Sequence, residues 1–519
     1  MFSLTDRRSE THIVRALLVV LSLASQVHVL YGQQSDAADK PKGLALKTPA
    51  VPANITGVLR EVNEKLLRDV RPEDNAAVTL LQIFGAEALE PKLRAESLEM
   101  MGIERLPTDF PGFIYVEEYV KEFGHRDAPR IALETNLLQE ELMIASGKRW
   151  TRADCPKLFD YLRANRAALD IVVQAANKSR YYAPVLSAED PPQLLSASLA
   201  IERRLPFLAR CLAARGLLVQ AAPDLTAVRN DLIACLRLAE LVATGSPFDV
   251  SQAKAELVDA LGTRAAMIAV TTGVFGGKEA AAYLEQLKQV RTLPPLVIAA
   301  DRGERAIVHQ ELEFLQREDS SVREFLEFPE AEEFRTLDQL QMTDLDWKLV
   351  REQADKIQDA LVKALSTHDR ELQQKQFATL DDNYRQWEEI RNPTPGKTLN
   401  WASQDRATVS RFVGETVVMS LRPLYWQRRL SDDRVRVRRD LLIISTALMA
   451  YHNDHRDYPQ ELSSLSPDYL DIVPEDSHTE RPFTYARLGQ DRARLISWGT
   501  NREDDAGRSH NDDTCIELH

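Results

Sequence analysis

Five oxygen-donor side chains crowd one glycine-bearing stretch near the C-terminus: Asn501, Asp504, Asp505, Asp512 and Asp513. Calcium takes six to eight hard oxygen ligands in a flexible geometry, so this composition suits it, with backbone carbonyls completing the shell. The spacing is not that of an EF-hand, and taken alone the stretch reads as a solvated acidic turn. His452 and His455, with Asp454 and Asp457, invite a zinc reading. Zinc needs three or four convergent ligands, and no third histidine is placed with these two, so they read as surface residues at a helix end.

Other groupings carry less chemistry. Gly273 to Glu279 has the outline of a phosphate loop, but Glu279 stands where a magnesium-binding hydroxyl belongs and helix rather than strand precedes it; it reads as an interhelical loop. The charged run Asp301, Arg302, Glu304, Arg305, His309, Glu311 and Glu313 could hold an acid/base pair, although i, i+3 and i, i+4 charges are ordinarily a solvent-facing stripe. No nucleophile elbow, HExxH helix or dinucleotide fingerprint occurs, so no catalytic residue is assigned. Among the four cysteines, Cys211 and Cys235 lie symmetrically about the turn at Pro223. An antiparallel helical hairpin brings them near one another, as a disulfide or as two buried free thiols.

These residues must be positioned by a long, mainly helical chain. At 519 residues it allows two to four domains, and 44% apolar with 28% charged residues is globular composition. A formal charge of −14, from 65 basic and 79 acidic residues, argues against a generic nucleic-acid binder, which needs a concentrated basic surface. The basic run Arg434, Arg436, Arg438 and Arg439 reads as the start of a helix. Residues 1–32 carry Arg7, Arg8 and Arg15 ahead of a short apolar run from Ala16 to Ala24, with small residues at Ala24 and Gly32; this is a signal peptide. If uncleaved it would act as a membrane anchor, but the run falls short of the ~20 residues that span a bilayer. The mature chain is expected to be extracytoplasmic, with no membrane span.

Residues 33–53 mix Pro, Ala, Ser and Lys without a period and read as a flexible leader, order beginning near Asn54. Residues 54–391 then read as helix after helix. Leu208, Leu212 and Leu217 mark one arm of a hairpin; Leu225, Val228, Leu232, Cys235, Ala239 and Val242 mark the other, capped by Asp224 and stopped by Gly245. Longer helices are expected over 343–368 and 370–390. The prolines between Asn392 and Gly396 predict a linker at 392–398. Beyond it, 403–429 reads as a helix, and Asp432 or Asp433 caps a last one burying Val437, Leu441, Ile444, Leu448 and Tyr451.

From Tyr451 onward the chain carries Asp454, Tyr458 and Pro459, Leu462, Leu465, Pro467, Tyr469 and Leu470, Pro474, Asp476, Pro482 and Phe483, Tyr485, Ser497, Gly499, Asp504, Asp505 and Gly507. This order resembles the C-terminal domain of the major pseudopilin of type II secretion. It is also similar to the ends of many large bacterial exported proteins of uncharacterised role with helical N-terminal regions. The resemblance implies a helix on a small antiparallel sheet, then a calcium-binding loop formed here by Asn501, Asp504, Asp505, Asp512 and Asp513. The residues agree on a hairpin: Phe483, Thr484 and Tyr485, then Leu495, Ile496 and Trp498, flank a turn at Gly489 to Asp491. The sequence departs from the family at Arg456, Ser477 and Glu480, where glycine, proline and glycine are usual, and at Cys515, where an acidic residue is usual. The long apolar pilin stalk is absent before Asp440.

The expected architecture is therefore mainly α: an irregular multi-helix array followed by a small α+β pseudopilin-like domain within 399–519, its core at 440–519. The expected role is an exported, non-enzymatic structural or interaction protein, with calcium the one cofactor and another extracytoplasmic protein the partner. The alternative is an envelope hydrolase with its site in the helical region.

Overall fold

The computed structural model describes residues 43–108, 110–123, 127–221, 223–276, 278–328, 334–391, 401, 404–421, 425–503 and 514–519. The principal helices begin with α1 (Gly57–Leu67), α2 (Ala76–Phe84), α3 (Arg94–Met100), α4 (Val116–Phe123), α5 (Ala128–Ala145), α6 (Pro156–Ala164), α7 (Arg166–Ala176) and α8 (Leu205–Gly216). They continue as α9 (Leu225–Gly245), α10 (Asp249–Thr271), α11 (Lys278–Lys288), α12 (Arg305–Leu315), α13 (Trp347–Ser366), α14 (Arg370–Arg391), α15 (Arg406–Ser420) and α16 (Tyr425–His455). The strands are β1 (Ala45–Leu46), β2 (Ile103–Arg105), β3 (Glu475–Asp476), β4 (Arg481–Pro482), β5 (Thr484–Arg487), β6 (Ala493–Ser497) and β7 (Thr514–Leu518). The chain is mainly helical, with a small C-terminal sheet region.

The chain forms two compact units. The larger comprises 42–188, 198–296 and 428–519; the smaller includes 189–197 and 297–427. This division differs from the expected one at 392–398. That segment lies outside the described residues, but helices on both sides of it pack within the smaller unit: Trp387 on α14 donates its indole N–H to Thr416 on α15 at 3.0 Å. Proline marks a break in helix, and a break in helix need not separate two cores.

In the larger unit, order begins before Asn54. β1 pairs antiparallel with β2, and Lys47 N–H donates to Gly102 O at 2.8 Å, so the part of the expected leader from 43 onward belongs to the fold. Two buried asparagines then fasten an irregular segment. Asn75 caps α2 and exchanges hydrogen bonds with both backbone groups of Tyr182, at 2.9 Å each. Asn63 does the same to Val185, at 2.8 and 2.9 Å. Each carboxamide supplies one donor and one acceptor, as a neighbouring strand would. The expected hairpin forms from α8 and α9, and Asp224 caps α9 by accepting from Ala227 N–H at 3.1 Å. Gly245, expected as a stop, is instead the last residue of α9. A Cβ there would lie 2.2 Å from Tyr181 O, so close backbone approach requires the glycine.

The helix α16 is central to this unit. Nine of the ten positions from Leu441 to Ala450 are buried, Ser445 and Thr446 among them. Burial on every side is the mark of a helix surrounded by protein, which a small sheet covering one face cannot provide. Its apolar residues join one core with those of α2, α7, α8, α9 and α10 and with Phe483, Leu495 and Leu518 of the C-terminal segment. β5 and β6 form the expected hairpin, pairing Thr484 with Ile496 and Arg487 with Ala493. β7, not assigned from sequence, adds to the far side of β6, pairing Ala493 with Leu518.

In the smaller unit α13 and α15 pack closely: a Cβ at Gly414 would lie 2.2 Å from Val350 O. Ser410 Oγ accepts from Asp346 N–H at 2.9 Å, tying the start of α13 to α15. Phe328, Phe334, Trp401 and Phe412 fill its core. The expected single helix over 403–429 is realised as α15 and the start of α16.

Candidate functional site

A dense polar constellation in the larger unit lies along α10 and α16. On α10, Asp249, Glu256 and Asp259 recur at the spacing of one helical face, with Thr263 one turn further. On α16, Arg428, Ser431 and Arg439 fall on a matching stripe. Arg428 forks across two carboxylates: Nη2 lies 2.8 Å from Asp249 Oδ1, and Nη1 lies 2.8 Å from Glu256 Oε2. Ser431 Oγ donates to the same Glu256 oxygen at 2.9 Å. Further along, Arg439 Nε sits 3.1 Å from Asp259 Oδ1, with side chains 4% and 1% exposed. Arg439 makes this contact at a poor angle, since Asp259 Oδ1 has no aligned donor; Thr263 Oγ1 supplies one to Oδ2 at 3.2 Å.

Burial drives the electrostatics of this seam. It pushes the carboxyls of Glu256, Asp259 and Asp432 above their ordinary values, and the facing arginines oppose it. Asp432 and Asp433, expected as a helix cap, lie inside α16. Arg429 Nη1 contacts them at 3.0 and 2.6 Å. The Arg434 to Arg439 run is likewise mid-helix, its last member buried. Sequence inspection treats charged stripes as solvent-facing. The signal that could have located this seam is the complementarity of two stripes far apart in the chain, acidic on α10 and basic on α16.

Asp440 follows directly. Burial raises its carboxyl to about 7; Arg436 and Arg439 oppose the shift and Asp476 adds to it. Asp476 is itself held by Ser497 Oγ at 2.8 Å and by the backbone N–H groups of His478 and Trp498. A carboxyl raised in the folded state binds more protons there than in the unfolded chain, so stability falls as pH rises between ~4 and ~7. Asp440→Asn is expected to stabilise the protein at pH 8 by about 1–2 kcal/mol after allowance for solvent screening, and to do nothing near pH 3. Urea unfolding of both proteins across that range checks the sign.

Asp504, Asp505, Asp512 and Asp513 lie outside the described residues, and Asn501 accepts from Glu503 N–H at 2.8 Å. His452 stacks on Tyr458 and sits 3.4 Å from Asp491, whereas His455 packs at a tilt against Tyr451. Asp454 accepts from the Tyr469 hydroxyl at 2.7 Å. Among the described residues no group of three or more His, Cys, Asp or Glu side chains is placed to hold a metal ion. Cys211 and Cys235 are free, buried thiols on the expected hairpin, and Cys235 Sγ reaches Ala209 O and Asp231 O. Burial pushes both thiols up, which suits packing rather than nucleophilic chemistry.

In the smaller unit, His309 Nε2 lies 2.8 Å from Asp355 Oδ1 on α13, and Arg305 lies among Asp301, Asp355 and Asp359. Glu311 is raised to about 7 by burial and by Glu318. His309 and Glu311 are two positions apart on α12, hence on different faces. A cleft of about 100 Å³ in the larger unit is lined by Asn177, Asn230, Arg237, Gln286, Gln289 and apolar neighbours. Its residues offer hydrogen bonds and one cation but no nucleophile and no general base. Arg237 Nε donates to Ala176 O at the end of α7 at 2.9 Å, a helix-terminal contact.

No family model, no curated protein and no solved structure matches this chain.

Proposed function

We propose that this chain is an exported structural or interaction protein whose pseudopilin-like C-terminal segment is carried on a helical body and docks to another extracytoplasmic protein. The observation that supports this reading most is the burial, on all sides, of the stretch of α16 from Leu441 to Ala450. It builds the C-terminal sheet into the body, with Leu495 of β6 and Leu518 of β7 in the same core. A rigid base lowers the entropy lost on docking. The ion pairs between Arg428, Arg439 and the carboxylates of α10 tie α16 to that body.

The reading has two parts, each with its own measurement on the full chain. Expressed in a bacterium with a signal peptidase, the protein is expected outside the cytoplasm with a mature N-terminus just after Ala24 or Gly32. An intact Met1 in the cytoplasmic fraction overturns export. Calcium is expected to stabilise the wild-type chain against heat relative to chelator, by about 2.7 kcal/mol at a hundred times its dissociation constant. Asp504→Ala/Asp505→Ala should abolish the difference. Equal melting with calcium and chelator removes the calcium reading and leaves the docking role to be tested by itself.

A further inference from the structure

Most large apolar side chains of α5 that reach solvent lie close together. Leu133 is 57% exposed, Leu137 40%, Met143 57% and Ile144 43%. Leu138, Leu142 and Ala145 on the other side are buried in the core. Positions 130, 133, 137, 140 and 144 follow one another at intervals of three and four, so they share one face of this 18-residue helix. Single exposed apolar residues are ordinary on a protein surface; three on one helix face, Leu133, Leu137 and Ile144, with Met143 on its flank, mark a contact surface. Two charged residues complete the stripe, Arg130 near its start and Glu140 further on. Both are exposed, and among the described residues neither has an ion-pair partner.

We propose that this face binds a second copy of the chain, α5 against α5, antiparallel about a twofold axis near position 135. In that register Leu133 meets Leu137 of the partner subunit, and Arg130 meets Glu140 of the partner subunit. The twofold axis repeats each contact, as an isologous interface demands. The charges set the direction, because parallel pairing would place Arg130 beside Arg130 and Glu140 beside Glu140. Phe123 stands 60% exposed at the end of α4, which packs on α5. It extends the apolar surface toward the region that Met143 and Ile144 of the partner subunit reach. A contact built on one helix about 27 Å long falls at the small end of specific interfaces, so association in the micromolar range is expected. The inference stands apart from export and calcium binding.

Sedimentation equilibrium of the full chain between about 1 and 100 μM tests it. A monomer–dimer equilibrium is expected, lost in Leu137→Glu. Arg130→Glu and Glu140→Arg should each weaken dimerisation at least about tenfold, and the double reversal should restore it because the pair is regenerated across the axis. All three positions are exposed, so urea midpoints should match the wild type and exclude misfolding. A chain that stays monomeric, a dimer indifferent to these changes, or a double reversal that fails to recover would each overturn the assignment.

Discussion

Arg439→Met is expected to destabilise the larger unit by about 3–5 kcal/mol, since it strands the Asp259 carboxylate in the core with Thr263 as its remaining donor. The cost comes from the charge left behind. Arg439 and Asp259 are 4% and 1% exposed, so water cannot replace the missing cation. The companion Arg439→Met/Asp259→Leu should recover most of the loss, because removing both charges removes the desolvation penalty with the attraction. Hydrogen exchange along α16 would report the opening of the larger unit. A single-variant cost under about 1 kcal/mol would show that the pair is solvated and that α16 is not held this way.

The isolated segment Asp440–His519 is expected to show no cooperative unfolding transition and no near-ultraviolet circular dichroism. This segment is the core of the expected pseudopilin-like domain, and it includes all of β3 to β7. Cutting it out exposes faces of α16 that the body covers, including Leu441, Leu442, Ile444, Ala447 and Leu448, each at 0% exposure in the whole chain. A chain of this size with part of its core removed has too little apolar burial to offset the entropy of ordering. The decisive comparison is with the full chain measured under the same conditions. A sharp, reversible transition in the fragment would show that the C-terminal segment is an autonomous domain, and the shared core would then be secondary. For the same reason the calcium measurement belongs on the full chain.

Much of the local structure was legible. The α8–α9 hairpin follows from leucine spacing on both sides of Pro223 and from Asp224 as a cap. The β5–β6 hairpin follows from alternating residues about Gly489. Both are short-range patterns in which the periodicity and the turn lie within one window of sequence. β7 was missed because a strand at the chain end has no turn partner of its own; it exists because β6 has a second edge to satisfy. The order of the leader from 43 onward is illegible for a similar reason, since β1 pairs with β2 some sixty residues later.

Composition, helical period and turn residues alone determined that this is a long, acidic, mainly helical chain with a β-hairpin about Gly489. Tertiary structure decided what those elements do together. It turned the charged stripe of α10 into the buried counterpart of arginines on α16, and it made α16 the centre of a unit drawn from three separated stretches. The physical reason is that local patterns record which face of an element is apolar, whereas the pairing of one face with another depends on contacts between distant residues. A charged stripe reads as solvent-facing until an opposite stripe arrives to neutralise it.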